Sequence, residues 1–258
     1  MFTVEQRDAL RERVLGLAAD DERVVSGAIV GSFAVDAGDA YSDLDLTFAV
    51  ADDAQVAVVL DDWTRTLVDE LDAVRLVDLQ RRATTYRVFL LPDALQLDLS
   101  MTPAAVFRPG GPRFRLVFGE TAPDEPETAP PPATGDLFIP TPAVPEDLLG
   151  WGVIYALHAR ACIERGRVWQ AEHYVGAVRD HALCLACLRN GLPPWQARTY
   201  DDLPAETHAR LGDAHVGGLE PGALRTALGA SLAALMHEGA EAGLSHAHVV
   251  AARLVELI

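Results

Sequence analysis

Residues Ser42 to Phe48 alternate polar and apolar side chains before the run ends in Ala49 and Val50. A period of two is that of a β-strand, in which residues i and i+2 point to the same face. Asp43 and Asp45 therefore project side by side, while Leu44, Leu46 and Phe48 turn to the opposite face. Two carboxylates held that close repel, and one stays protonated unless a cation sits between them. A hard divalent cation with oxygen ligands, such as Mg2+, resolves the repulsion. The plainer alternative is a surface hairpin whose acids are solvated.

The residues upstream narrow the choice. Ala28, Ile29 and Val30 lead into Gly31-Ser32, a turn that offers backbone N–H groups and a hydroxyl without side-chain bulk, as a triphosphate needs. Gly31-Ser32, ten intervening residues and Asp43-Leu44-Asp45 resemble the signature of the DNA-polymerase-β-like nucleotidyltransferase superfamily. Its pattern is a Gly-Ser pair, a loop, Asp-x-Asp on a strand and a third carboxylate from a later strand. The motif resemblance covers residues 25–101. Size and layout are similar to the antibiotic nucleotidyltransferases, the aminoglycoside and lincosamide adenylyltransferases.

Composition sets limits of its own. The chain has 258 residues, half of them apolar, and a formal net charge of −17. A phosphate backbone would be repelled, so nucleic acid is excluded as a partner. A cationic small molecule would be steered toward a negative cleft, although acidity serving only solubility explains the charge equally well. All 21 basic residues other than histidine are arginines. Triphosphate charge must then be met by arginine, metal and backbone N–H groups. Three cysteines, Cys162, Cys184 and Cys187, and a charged, amphipathic N-terminus point to a cytoplasmic protein. No apolar run is long enough for a membrane span.

Taken in order, Thr3 is the N-cap of a helix over Val4 to Ala19, and Val24 to Val30 is a strand running into Gly31-Ser32. The resemblance implies a short helical turn from Ser32 with its N–H groups toward phosphate. A helix follows the Asp-x-Asp strand, with Val59, Leu60, Trp63 and Leu67 at helical spacing. Val74 to Leu79 and Tyr86 to Leu91 are strands, and Pro92-Asp93 is a turn. Leu95 to Met101 alternates strictly, with Gln96, Asp98 and Ser100 on its polar face. This is the hairpin partner the resemblance implies, and Asp98 falls at the third carboxylate. Arg113 to Gly119 is a last short strand.

Between Thr121 and Pro145 stand eight of the chain's sixteen prolines. Such a segment is neither helix nor central strand and serves as an extended linker. Five helical stretches follow: Asp147 to Arg165, Arg167 to Arg189, Pro204 to Leu211, Pro221 to Gly239 and Leu244 to Ile258. The fold class is α+β: a mixed-sheet nucleotidyltransferase domain over residues 1–120, a linker over 121–145 and a helical bundle over 146–258.

The resemblance implies a Mg2+-dependent nucleotidyltransferase. It would move a nucleoside monophosphate, AMP from ATP, onto a hydroxyl of a small and cationic acceptor such as an aminoglycoside-like antibiotic. Gly31 and Ser32 would contact phosphates, Asp43 and Asp45 would hold metal, and Asp98 would complete a second metal site or act as general base. The helix over Arg167 to Arg189 is the expected wall of an acceptor pocket. On one of its faces stand Glu172, Gly176, Arg179 and Leu183, with Glu172 for an amine and Arg179 for phosphate, or else ordinary exposed charges. His181-x-x-Cys184-x-x-Cys187 lies in a continuous apolar helix without the turn of a zinc ribbon, so these are packing residues. The resemblance to the antibiotic nucleotidyltransferases, among which dimers are common, is compatible with a homodimer. A protein-adenylylating, antitoxin-like enzyme and a degenerate nucleotide-binding module are the alternatives.

Overall fold

The computed structural model describes residues 2–51, 54–109, 111–123, 144–194 and 197–254. Helix α1 (Val4–Asp20) opens with a reciprocal cap, in which Thr3 Oγ1 accepts from the Gln6 N–H at 3.1 Å and Gln6 Oε1 from the Thr3 N–H at 2.6 Å. Then come β1 (Val24–Val30), a 3-10 turn (Gly31–Val35), β2 (Leu44–Val50), α2 (Val56–Leu71), β3 (Val74–Arg81), β4 (Thr84–Leu90), β5 (Gln96–Pro103) and β6 (Phe114–Phe118). The remainder is helical: α3 (Pro145–Glu164), α4 (Val168–Arg189), α5 (Ala205–Arg210), α6 (Pro221–Glu241) and α7 (Ala247–Leu254). The fold is α+β. The expected linker lies mostly at residues 124–143, outside the described residues, as does the end of the last expected helix. Among the described residues no helix is long and apolar enough to cross a membrane.

The six strands form one mixed sheet in the order β3-β4-β5-β2-β1-β6. β4 and β5 make the expected hairpin, and β5 then runs parallel to β2. Alternation decides what each sheet face does. Leu44, Leu46, Phe48, Leu97, Leu99 and Met101 pack under α1 and α2 against Val14, Leu60, Trp63 and Leu67. On the opposite face, Val74, Leu76, Val88 and Leu90 continue into the core of α3, α4, α6 and α7. Farther along, Ala28, Ala49 and Phe107 form a small apolar cluster. Between these two patches the sheet surface is polar, and it carries Asp45, Thr47, Asp98 and Ser100.

Helical segment and sheet thus share one core. α3 crosses β3 at Gly150, where a Cβ would overlap the Leu76 carbonyl. Arg253 of α7 donates to the Leu90 carbonyl at 2.6 Å. On the α2 side, buried Arg87 of β4 donates to both Asp78 oxygens (2.8 and 2.6 Å), to Asp61 Oδ1 (2.9 Å) and to Thr64 Oγ1 (2.7 Å). Removing the buried guanidinium breaks all of these charge-assisted hydrogen bonds and leaves Asp78 with Arg75 as its one arginine partner among the described residues. Arg87→Ala is therefore expected to lower unfolding stability by about 3 kcal/mol, read from the midpoint of urea unfolding.

Candidate active site

The parallel pairing of β2 and β5 sets Asp45 directly beside Asp98. Asp43, two residues earlier on the same face, completes a cluster in which one oxygen from each carboxylate lies within 4.8 Å of the others. The three residues named from the sequence for metal therefore come together in space. No arginine pairs with them among the described residues. Elsewhere the chain supplies arginine freely: Asp21, Asp36, Asp39, Asp61, Asp62, Asp72 and Asp78 all hold one. The most crowded carboxylates among the described residues are thus without an arginine partner.

Their electrostatics follow from that arrangement. Desolvation raises the Asp45 carboxyl far above its ordinary range, and the charges of Asp43 and Asp98 push it further. Asp98 is pushed up to about 7, mainly by desolvation and then by Asp43, against a hydrogen bond from Gln96 and the proximity of His158. Gln96 Nε2 donates to Asp98 Oδ1 at 2.8 Å, which fixes one carboxylate oxygen and leaves the other open. His158 of α3 places Nε2 3.8 Å from Asp43 Oδ2.

Gly31 fits this site for a steric reason. Its φ is +70°, and a Cβ there would collide with Asp45 Oδ2. Only a glycine lets the β1 turn pass this close to the carboxylate. Beside it, Ser32 Oγ is buried with no partner, and so is Gln96 Oε1. A buried hydroxyl without a partner is uncommon, and both atoms belong to residues flanking the acids. Three crowded carboxylates, an unpartnered hydroxyl and a glycine cradle fit a divalent cation carrying phosphate oxygens.

The loop between Gly31 and Asp43 is fastened at both ends. Buried Arg7 of α1 lies 4.3 Å from the Phe33 ring centroid and donates to the Asp39 carbonyl. Arg165, at the end of α3, grips Asp39 in a fork at 2.7 and 2.6 Å and reaches Ser42 Oγ at 3.3 Å. Arg165 holds the Asp39 carboxyl well below the usual carboxylate range. The loop that orders the acids is thus tied to the helical segment.

A cavity of about 210 Å3 opens between that loop and α3–α4, with Tyr41, Asp43, Gln96, His158, Arg160, Arg165, Arg167 and Tyr174 among its lining. Among the described residues its lining carries three arginines and Asp43, and Arg165 is already paired with Asp39. No family model and no curated protein sequence matches this chain. The chain is similar to a solved aminoglycoside 6-adenyltransferase from Bacillus subtilis at 11% identity and a TM-score of 0.33, over 99% of this chain and 92% of that one.

Helix α4 presents a different face from the one expected. Gln170 and Tyr174 look into the cavity, whereas Glu172 and Arg179 are absent from its lining. Arg179 pairs with Asp180 at 3.1 Å and lines a separate depression with Leu183 and Tyr200. At 100° per residue, positions 172 and 179 point away from 170 and 174. The structure therefore brings neither Glu172 nor Arg179 to the acids. Trp169 is 73% exposed, and Tyr174 stacks on Tyr155. Cys184 contacts the Tyr200 hydroxyl at 3.2 Å, and Cys187 is fully buried.

Sequence reasoning missed His158, Arg160, Arg165 and Arg167. α3 is apolar almost all round, so no amphipathic stripe singled out its site-facing residues. The concentration of arginines over residues 160–167 was the available signal.

Proposed function

We propose that the chain is a nucleotidyltransferase that uses a divalent cation, Mg2+, to move a nucleoside monophosphate from a triphosphate donor, ATP, onto a hydroxyl of a small molecule. One observation carries this reading: Asp43, Asp45 and Asp98 converge within 4.8 Å, with no arginine among the described residues to balance them. Asp43 and Asp45 would hold the cation, which when bound supplies charge stabilisation at the phosphoryl oxygens. The chain's own residues do the rest. Gly31 admits phosphate oxygens close to the backbone, and the unpartnered Ser32 hydroxyl donates to them. Arg167 lines the neighbouring cavity and suits the charge of the donor's phosphate tail, while Arg165 holds the Asp39 loop in place.

In the transfer, the acceptor oxygen bonds to the α-phosphorus and the bond from that phosphorus to its bridging oxygen breaks. Pyrophosphate leaves with the electron pair. The acceptor proton goes to the Asp98 oxygen that Gln96 does not engage. Gln96 keeps Asp98 oriented while this happens.

The test is a calorimetric titration of a non-hydrolysable ATP analogue with and without Mg2+. Binding should require Mg2+, and Asp43→Asn/Asp45→Asn should lose it. Equal binding without Mg2+, or unchanged binding in the double variant, would remove the reading. Binding of GTP, CTP or UTP analogues in place of ATP would change only the donor base.

A further inference from the structure

One side chain beside the acids has no role in the transfer itself. His158 of α3 sets Nε2 3.8 Å from Asp43 Oδ2. That spacing is too long for a hydrogen bond. It is shorter than two metal–ligand bonds of about 2.0–2.2 Å laid end to end, so a single ion between the two atoms can touch both.

The ring is held in that place. His158 and Arg165 are two helical turns apart on α3 and share a face. Arg165 binds Asp39 and Ser42, and His158 meets Asp43 next to them, so one helix face covers the approach to the Asp-x-Asp strand. Tyr174 of α4 packs edge-on against the imidazole with ring centroids 5.2 Å apart, which restrains the ring plane. Gln96 supplies a second, independent sign. It is 4% exposed, shares the lining of the cavity with Asp43 and His158, and its Oε1 finds no partner among the described residues. A buried carbonyl oxygen is normally satisfied, and a water carried by a cation at Asp43 would donate to it.

The donor set names the class of ion. Mg2+ takes oxygen ligands and gives up its waters reluctantly. An imidazole nitrogen suits first-row transition metals, whose affinity for N/O sites rises from Mn2+ to Cu2+. We propose that His158 Nε2 is a ligand of the cation held at Asp43 and Asp45, and that the site selects a divalent transition-metal ion over Mg2+. This deepens the nucleotidyltransferase reading in the identity of its cation, but binding of the ion needs no nucleotide. Because His158 comes from the helical segment and both carboxylates from the sheet, the ion would also join the two.

The experiment uses the full chain, stripped of metal with EDTA and free of nucleotide. In calorimetric titrations Co2+ should bind about a hundredfold more tightly than Mg2+. His158→Ala should lower the Co2+ affinity about tenfold or more and leave the Mg2+ affinity within about twofold. Pulsed electron paramagnetic resonance of the Mn2+-loaded parent should show coupling to a directly bound nitrogen, and both His158→Ala and Asp43→Asn should lose it. An unchanged melting temperature of the cation-free protein establishes that His158→Ala is folded, and His158→Gln, closer in size, takes its place where it is not. A nitrogen signal that survives either substitution comes from another of the chain's eight histidines and overturns the assignment. A parent spectrum without nitrogen coupling overturns it too. So does an Mg2+ affinity that falls as far as the Co2+ affinity, which would make His158 a support for Asp43 and not a ligand. Mg2+-dependent nucleotide binding without nitrogen coupling removes this inference and leaves the transferase reading. Nitrogen-coupled cation binding without nucleotide binding does the opposite.

Discussion

Thermal unfolding at about pH 8 should move upward by about 5 °C when saturating Mg2+ or Mn2+ is added, and the same addition should do almost nothing near pH 5. The reason is the carboxylate cluster. Asp98 titrates at about 7 in the folded chain against 3.8 as a free side chain, and Asp45 is shifted in the same direction. Across that window the folded chain holds protons that the unfolded chain has released. Stability of the cation-free protein therefore falls as pH rises through it, and is fully restored only below the unfolded value. A divalent cation binds the ionised carboxylates and not the unfolded chain, so its stabilisation appears where they are ionised. Asp45→Asn removes one of the repelling charges. It should raise the melting temperature of the cation-free protein at about pH 8 by several degrees and abolish most of the cation response. An Asp45→Asn protein less stable than the parent, with its cation response intact, would show that the cluster is not a cation site. Differential scanning calorimetry at the two pH values reads both quantities.

How far the sequence carried depended on whether a signal was local. Alternation in Ser42–Val50 and Leu95–Met101 placed Asp45 and Asp98 on polar strand faces, because a strand's side-chain period is fixed by its backbone. What local pattern does not contain is pairing. The parallel contact of β2 with β5, which sets Asp45 beside Asp98, joins segments 53 residues apart in the chain, and it entered the sequence analysis through resemblance alone. Glu172 and Arg179 show the same limit in a helix. Their spacing put them correctly on one face of α4, but which face meets the site depends on how α4 packs on α3 and α6. Tyr174 and Gln170 took that place. Net charge was the least informative feature. A value of −17 describes the whole chain and does not say where charge of either sign gathers: among the described residues, Arg160, Arg165 and Arg167 stand around the cavity that Asp43 also lines. Field at a site is set by the nearest few groups, not by the total.

Gly31→Ala should cut transfer activity by about a hundredfold or more, and backbone strain alone should cost it about 1–2 kcal/mol of stability. Two effects meet at this position, and a second glycine separates them. Gly31 has φ +70° and Gly166 has φ +68°, so an alanine at either place carries the same backbone strain. Around Gly166 a new Cβ would meet nothing within 4 Å, whereas at Gly31 it would collide with the Asp45 carboxylate. Gly166→Ala should therefore lose the strain part of the stability alone and keep both the divalent-cation response and the activity. Gly31→Ala should lose the cation response with its activity, because displacing Asp45 breaks the register of oxygens that Asp43, Asp45 and Asp98 present together. Unfolding midpoints, cation-induced shifts in melting temperature and pyrophosphate release, measured on the two variants in parallel, provide the comparison. Equal loss of activity in both would assign the effect to backbone strain. A loss confined to Gly31→Ala would mean that the closeness of the turn to the carboxylate is what the chemistry requires. The Gly-Ser pair and the Asp-x-Asp pair would then be one device: a glycine that brings backbone to within contact of a carboxylate, and a carboxylate that only a glycine can admit.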